Sequence, residues 1–284
     1  MTDYGPATER QIKAVIDACE QYSANSIIAL SGVPATGKSY IAAIAAQRHA
    51  QEPTRVREIQ FHPSFTYEEF VEGLRIGAGG SVEAVAGILI DWNERALEDG
   101  KLRYVLLIEE LTRANLSSVL GELLTYIEHR DRQFFTLFGR RAVRIAKNLT
   151  IIATFNPIDR SAIDIDDALL RRLRIIDMPP DTDQLTEMLG RNGLPAHVVA
   201  ALRKLFDDCR SNFPSEYETV MPFGHGVFAD VSKEDDLFPL WHQRIRRMLY
   251  RPLLGPHAFA ETIEKAFPWK DESYRVQPLS NATP

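Results

Sequence analysis

The sequence is poor in cysteine and contains no long apolar run. Cys19 and Cys209 are its only cysteines, and they form no CxxC pair. A disulfide framework and a cysteine-rich metal site are therefore excluded, and a reducing compartment is expected. No segment approaches the roughly eighteen consecutive apolar residues that a membrane span needs, and the polar start lacks the apolar core of a secretion signal. We therefore expect a cytoplasmic protein that is neither secreted nor inserted in a membrane.

Positive charge is also not in excess, because 39 acidic residues outnumber 33 basic ones and give a formal net charge of −6. No overall positive field draws this chain to nucleic acid or to an anionic membrane. Contact with nucleic acid is therefore expected only locally, through a pore or through a partner. With 45% hydrophobic and 25% charged residues, the 284-residue chain has the composition of a globular protein with one large core and a smaller second domain.

Short apolar runs alternate with helical patterns, which is typical of a parallel sheet with crossover helices. The apolar residues of segment 116–127 recur at helical spacing, so we expect one helix there. Another helix is expected at 38–50. The predicted fold class is α/β, a parallel sheet flanked by helices. The predicted strands are 26–30, 55–60, 103–108, 149–154 and 174–177.

The same patterns divide the chain into two domains. Residues 1–180 form the predicted α/β nucleotide-binding domain, which starts with a helix at about 7–22. Two apolar runs around a basic turn predict a β-hairpin inserted at 134–145. Helical periodicity dominates residues 181–272, which we interpret as a helical lid, and 273–284 read as a loose tail.

A phosphate-binding loop follows the first predicted strand. Gly32, Gly37, Lys38 and Ser39 satisfy the pattern G-x-x-x-x-G-K-[ST], between an apolar strand and a helix. Backbone N–H groups of such a loop surround phosphates, the lysine reaches the β- and γ-phosphates, and the hydroxyl binds Mg²⁺. A chance glycine turn is the alternative, which the flanking strand and helix disfavour. The predicted nucleotide-binding residues of this segment are Gly32, Val33, Pro34, Ala35, Thr36, Gly37, Lys38, Ser39 and Tyr40.

Two acids, Glu109 and Glu110, follow the apolar run 104–108. A strand buried on both faces would deliver them to the carboxyl edge of the sheet, where ligands bind. We assign Glu109 to the metal and Glu110 to the activation of the attacking water. The alternative is that both acids only solvate the end of a strand.

An amide and two arginines follow the acids along the chain. Asn156 comes after strand 149–154, where it can orient water against the γ-phosphate, although Asn-Pro is also a common turn opener. Arg171 and Arg172 come after the acidic stretch of Asp164, Asp166 and Asp167. They are either an arginine finger offered to a neighbouring subunit or charges that compensate a helix dipole.

These motifs together resemble the McrB-type NTPases, the motors of modification-dependent restriction systems. That group lies in the AAA+ branch that also holds the MoxR and CbbQ/NorQ ATPases. The resemblance covers about residues 26–254. It is carried by FHPSFTYEEFVEGL (61–74), EELTRANLSSVLGELLTYIE (109–128), NPIDRSAIDIDDALLRRL (156–173) and FGHGVF (223–228).

The resemblance implies a hexameric ring with nucleotide between subunits. It also implies that Glu110 is the catalytic glutamate, that Asn156 is the first sensor, and that Arg171 or Arg172 is the finger. Arg113 matches a family arginine at the subunit interface. His225 lies in the lid where a second sensor is expected, whereas without the resemblance it reads as a structural histidine.

The resemblance also implies which segments face the pore of such a ring. The stretch around Phe65 and Tyr67 and the hairpin at 134–145 are similar to the pore-facing insertions of this branch.

Two departures qualify the implied chemistry. Glu109 stands where the family commonly has aspartate, so the metal contact is made by a longer side chain. The segment FNPIDRS (155–161) differs from the form found in restriction GTPases, which favours ATP over GTP.

The predicted function is a Mg²⁺-dependent ATP or GTP hydrolase that acts as an oligomeric AAA+ motor for a separately encoded effector, such as a restriction or defence nuclease. One alternative is a MoxR- or CbbQ-like chaperone ATPase that remodels a protein client. Another is an assembly module that switches with nucleotide occupancy and turns over little.

Overall fold

The structure is a computed structural model that describes residues 4–77, 79–157, 167–211, 223–250 and 258–271. For three of these residues at the end of one helix, 209–211, and for 258, 259 and 262, only the backbone is described. Asp164, Asp166 and the predicted tail lie outside the described residues.

The described chain divides into two compact units. The α/β unit consists of residues 10–32 and 38–177. The helical unit consists of the described residues of 178–284 together with those of 1–9 and residues 33–37. The middle of the phosphate-binding loop thus packs with the helical unit, although the residues on both sides of it in the sequence belong to the α/β unit.

A five-stranded parallel sheet forms the centre of the α/β unit. Its strand order is β2-β5-β8-β1-β9. The three inner strands are buried along almost their whole length, which explains their continuous apolar sequences. The prediction of a parallel sheet is confirmed, with strand ends within about one or two residues. The strands are β1 (Ile27–Ser31), β2 (Val56–Gln60), β5 (Tyr104–Glu109), β8 (Leu149–Phe155) and β9 (Leu173–Asp177).

Helices flank this sheet, and α4, α5 and α6 share one continuous apolar core with its strands. The longest are α1 (Pro6–Tyr22), α2 (Lys38–Ala50) and α4 (Ile88–Glu98). Helix α1 begins in the helical unit and continues into the α/β unit. The shorter ones are α3 (Tyr67–Phe70), α5 (Leu116–Leu120), α6 (Leu123–Glu128) and α7 (Asp167–Leu170), with 3₁₀ turns at Pro53–Arg55 and Leu111–Arg113.

The single helix predicted at 116–127 is wrong, because the segment forms α5 and α6 with a break between them. The break falls at Gly121, whose backbone has φ 47° and ψ −126°, a combination open to glycine. The expected apolar face is nevertheless buried on both pieces, at Val119 and Leu120 in α5 and at Leu123 in α6.

Two antiparallel hairpins extend the α/β unit. The predicted hairpin at 134–145 is present, with short strands β6 (Phe134–Phe135) and β7 (Ala142–Val143). The other, β3 (Glu72–Ile76) with β4 (Val82–Ala86), was not predicted. Its sequence alternates poorly, and its apolar residues Leu74, Ile76 and Val82 are exposed rather than buried.

A buried carboxylate connects the two hairpins. Glu72 of β3 is only 3% exposed and accepts hydrogen bonds from the Thr136 hydroxyl at 2.8 Å and from the N–H groups of Phe138 and Gly139 at 2.9 and 2.8 Å. A buried carboxylate with three donors is fully compensated for its lost hydration. Tyr67 adds a 2.6 Å hydrogen bond to Glu122 and a ring contact with Phe138.

The helical unit has a separate apolar core around Trp241, Phe267 and Trp269. A π-helical turn, Trp241–Ile245, joins α10 to α11. In the part of the chain that is described, no helix has the length and apolarity to span a membrane. The helices are α8 (Thr182–Arg191), α9 (Ala196–Ser211), α10 (Leu237–Leu240), α11 (Arg246–Leu249) and α12 (Ala258–Ala266), with 3₁₀ turns at His225–Phe228, Glu234–Asp236 and Pro268–Lys270.

Candidate functional site

The phosphate-binding loop has the backbone shape that its sequence predicts. Ala35 and Gly37 are both left-handed, with φ 64° and 84°, and helix α2 begins directly afterwards at Lys38. Left-handed residues within such a loop turn successive N–H groups toward one concave side, where an anion can bind. The Thr36 hydroxyl donates to the Val33 carbonyl at 3.2 Å and is completely buried, so it braces the loop from within.

Ser39 and Glu109 meet across the sheet edge of the α/β unit. The Ser39 hydroxyl donates to Glu109 Oε2 at 2.6 Å, and the Thr154 hydroxyl donates to the same oxygen. The other carboxylate oxygen, Oε1, is buried and has no hydrogen-bond partner among the described residues. A buried carboxylate oxygen without a donor is unfavourable unless a cation or water binds it.

This arrangement fits a magnesium ion. Mg²⁺ prefers oxygen ligands, and one or two protein ligands suffice when phosphates and waters complete its shell. The Ser39 hydroxyl and the unpaired oxygen of Glu109 would supply two oxygen ligands of this kind. No group of three or more His, Cys, Asp or Glu side chains among the described residues could hold a metal by itself. The donor set is therefore that of a nucleotide-bound metal rather than of an enclosed structural one.

Glu110 occupies a strained turn directly after β5. Its backbone is left-handed, with φ 56° and ψ 46°. Non-glycine residues adopt this conformation at an energetic penalty, and such residues concentrate at functional sites. The turn lifts the Glu110 side chain out of the strand's alternation, so that it is partly exposed rather than buried in the sheet.

Two neighbours orient Glu110. Its N–H donates to the Thr154 hydroxyl at 3.3 Å, and Arg113 Nε approaches Glu110 Oε2 at 3.4 Å. Both members of this ion pair are exposed by 40% or more, so the pair adds little stability. Arg113, which the resemblance implied at a subunit interface, thus lies beside the glutamate of its own chain.

Thr154 is the residue that sequence reasoning missed. A single buried hydroxyl contacts both acids, donating to Glu109 and accepting from the backbone of Glu110. The available signal was weak, since a threonine inside an apolar β-strand is ordinary. Only the parallel pairing of β5 with β8 brings it beside the acids.

Asn156 follows β8 at the same sheet edge as the start of the phosphate-binding loop. Ser31 pairs with Phe155, and the Gly32 N–H donates to the Phe155 carbonyl at 3.3 Å. Asn156 is 8% exposed and is thereby held beside Gly32. This is the position expected for an amide that orients water near a phosphate.

The two candidate arginines differ sharply in their surroundings. Arg172 is tied into its own unit: its guanidinium donates to the carbonyls of Leu124 and Ala168 and pairs with Glu128 at 3.2 Å, and its side chain is 11% exposed. Arg171 is exposed, and its side chain makes no hydrogen bond or ion pair within the described residues. Of these two described arginines, Arg171 is the one whose guanidinium is available to another molecule.

His225 belongs to the helical unit and is uncharged at neutral pH. It is 5% exposed, and burial lowers its pKa to about 4, an effect that the nearby Asp181 carboxylate only partly offsets. Its Nδ1 accepts the Asp181 backbone N–H at 3.3 Å, so the neutral ring carries its proton on Nε2. Nε2 faces Gly37 of the phosphate-binding loop, 3.7 Å from where a Cβ on that glycine would lie.

Replacing Glu110 by glycine should raise the free energy of unfolding of the nucleotide-free chain by about 1 kcal/mol, because glycine adopts the left-handed conformation without strain. Glu110→Ala is the matched control, since it removes the carboxylate but keeps the strained backbone. Denaturant unfolding of both variants is the measurement. Equal changes in stability in the two variants would show that the backbone carries no strain.

The buried His225 should make the protein less stable in acid. The unfolded histidine binds a proton near pH 6.5 but the folded one only near pH 4, so acid favours the unfolded chain within that window. The contribution of His225 to the free energy of unfolding is fully present above pH 6.5. It falls by up to about 3 kcal/mol as the pH drops toward 4.

His225→Gln should remove that part of the pH dependence when unfolding is measured across the window. Some dependence will persist, because burial also lowers the pKa of His49. Parallel stability curves for the two proteins would contradict the assignment.

The chain is similar in sequence to known proteins. The family model for the AAA domain (dynein-related subfamily) matches residues 27–173, which contain four of the five strands of the parallel sheet and the first residue of β9. The EcoKMcrB subunit of the type IV methyl-directed restriction enzyme of Escherichia coli K12 is 33% identical over 271 residues, which is 89% of this chain and 56% of that protein.

A second relative is YdiS, a component of the type II restriction enzyme BsuMI of Bacillus subtilis. It is 24% identical over 183 residues, 50% of this chain and 53% of that protein. The chain thus spans a little over half the length of the curated relatives it matches.

A solved structure of a proposed ATPase from Cytophaga hutchinsonii superposes with a TM-score of 0.40 at 15% identity, over 72% of this chain and 70% of that one. No part of the assignment depends on that loose likeness. The family match spans more than half of the sequence and includes the loop, both acids and Asn156. The chain therefore belongs to the AAA domain family, dynein-related subfamily.

Proposed function

We propose that this chain is a Mg²⁺-dependent nucleoside triphosphatase that works as one subunit of an oligomeric AAA+ motor. The observation that carries the proposal is the 2.6 Å contact between Ser39 and Glu109, which leaves one carboxylate oxygen of Glu109 buried and unpaired. Such a pair, at the end of a phosphate-binding loop, suits a metal bound to a triphosphate.

The residues around this pair have separable roles in hydrolysis. The loop N–H groups and Lys38 bind the phosphates, and a magnesium ion held by Ser39 and Glu109 would neutralise their charge. Glu110, aimed outward by its left-handed turn, polarises the attacking water, and Asn156 orients it. Thr154 positions both acids. His225 offers a neutral Nε2–H as a second sensor.

A neighbouring subunit of the oligomer supplies the remaining positive charge, an arginine guanidinium. Arg171 is exposed and uncommitted within the described chain, so it is the arginine finger offered to a neighbouring subunit's γ-phosphate, whereas Arg172 holds the turn that presents it. We infer a homo-oligomer, with a hexameric ring as the expected form. The nucleotide is ATP or GTP, and the departure from the restriction GTPase sequence at 155–161 favours ATP.

The two relatives suggest which kind of effector protein the motor works with. Both are components of restriction enzymes by name. We propose that this chain likewise serves a separately encoded effector such as a restriction or defence nuclease, and that any nucleic acid is contacted through a pore or through that partner. Stimulation of hydrolysis by a protein client without a nuclease would instead favour the chaperone alternative. Nucleotide binding without turnover would favour the assembly module.

Phosphate release from ATP and from GTP, with Mg²⁺ and with a chelator, tests the proposal. Glu110→Gln should lower kcat by roughly 100-fold or more while nucleotide binding persists, because the general base is lost but the phosphate-binding loop is unchanged. Glu98→Gln, at the exposed end of α4, is the matched control. Hydrolysis by Glu110→Gln at the rate of the unaltered protein would exclude the motor assignment.

Replacing Arg171 should affect catalysis, whereas replacing Arg172 should affect stability. Arg171→Ala should lower kcat by about 10³-fold or more at unchanged stability. Arg172→Ala should lower the free energy of unfolding by about 2 kcal/mol, since it removes the hydrogen bonds of a largely buried guanidinium to two carbonyls and its ion pair with Glu128.

Mixing Arg171→Ala with Glu110→Gln should restore part of the activity, because the first supplies an intact base and the second an intact finger. If Arg171→Ala alone hydrolyses normally, or if the mixture stays inactive, the trans finger is not Arg171.

A further inference from the structure

A turn of the helical unit forms backbone hydrogen bonds with the phosphate-binding loop. The Gly224 N–H donates to the Pro34 carbonyl at 2.8 Å, and the Gly226 N–H donates to the Ala35 carbonyl at 2.7 Å. Both partners belong to the helical unit, so the contact is internal to it. Two consecutive loop carbonyls are thus fixed by two N–H groups that flank His225.

This approach is possible only because the turn has glycine on both sides of the histidine. A Cβ on Gly224 would lie 2.2 Å from the Ala35 carbonyl oxygen, and a Cβ on Gly226 would lie 2.9 Å from the same atom. The first distance is impossible for real atoms, and the neighbour that would have to yield is backbone. The glycines therefore allow close approach rather than flexibility.

The turn itself is anchored in the core of the helical unit. Phe223, Val227 and Phe228, which surround it in the sequence, are each 2–3% exposed. Ala35 packs against the same core. The hydrogen-bonded turn is consequently rigid, and it can impose a conformation on the loop.

The turn holds Ala35 in a backbone conformation that is unfavourable for alanine. Ala35 is left-handed, with φ 64°, although its Cβ disfavours that region. Relaxation of Ala35 to an ordinary conformation would rotate the adjoining peptide groups and turn loop N–H groups away from the concave side. The Gly224 and Gly226 contacts converge on Ala35 from outside the loop and add to the hydrogen bond that Thr36 makes within it.

We propose that the Gly224-His225-Gly226 turn is a backbone clamp that holds the loop in its phosphate-binding conformation and thereby sets nucleotide affinity. Gly224 and Gly226 are positioning residues, since they act through Ala35 and do not touch nucleotide. The clamp rests on the proposed function, because it governs the same site. Its failure should weaken binding much more than the chemical step.

Equilibrium binding of fluorescent ATP and GTP analogues with Mg²⁺ tests the clamp. Gly224→Ala should weaken binding about tenfold or more, and Gly226→Ala should weaken it less, because its added methyl group clashes less. Gly190→Ala is the matched control in the same unit, since a Cβ there meets nothing within 4 Å. At saturating nucleotide, kcat of Gly226→Ala should stay within about twofold, so that the loss falls on KM.

A rescue variant separates positioning from simple damage to the fold. Ala35→Gly lets residue 35 adopt the left-handed conformation without help, so adding it to Gly226→Ala should recover much of the lost affinity. If Gly226→Ala acted only by destabilising the helical unit, adding Ala35→Gly would not restore nucleotide affinity, because a glycine at position 35 adds backbone freedom. This double variant also decides the question if Gly224→Ala does not fold.

The outcomes distinguish the clamp from the function on which it rests. If the unaltered protein binds neither nucleotide, the proposed function is wrong. If it binds while Gly224→Ala and Gly226→Ala bind equally well, or if Ala35→Gly gives no recovery, the clamp is wrong and the proposed function stands.

Discussion

The candidate site depends on the parallel pairing of three buried strands. Because β1, β5 and β8 run in one direction with their carboxyl ends together, the residues that follow them must meet at one edge. Burial on both faces leaves almost no room for polar groups within the strands, so most of the chemistry is confined to their ends. Thr154 is the informative exception, as a buried hydroxyl that lies one position before the strand ends and joins both acids.

The sequence predicts the sheet, the loop and the acids well because each depends on local pattern. Continuous apolar runs mark the inner strands, and the loop motif requires particular residues at fixed spacing. The hairpin of β3 and β4 was missed because its exposed face is apolar, so the usual alternation gives no signal. The break at Gly121 was missed because apolar spacing continues across it.

Other features of the site depend on pairing distant in sequence. Neither the contact of Thr154 with two acids nor the different surroundings of Arg171 and Arg172 can be read from neighbouring residues. The same holds for the glycines on either side of His225, which the sequence shows only as a short motif. Their close approach to Ala35 depends on a tertiary contact across nearly two hundred positions.

The carboxylate of Glu72 has a mechanical consequence for the two hairpins. Three hydrogen bonds from the hairpin of β6 and β7 converge on the buried Glu72 side chain of β3. Separating the hairpins would break all three hydrogen bonds at once, so each hairpin restricts the movement of the other. We therefore expect a displacement of one hairpin to carry the other with it.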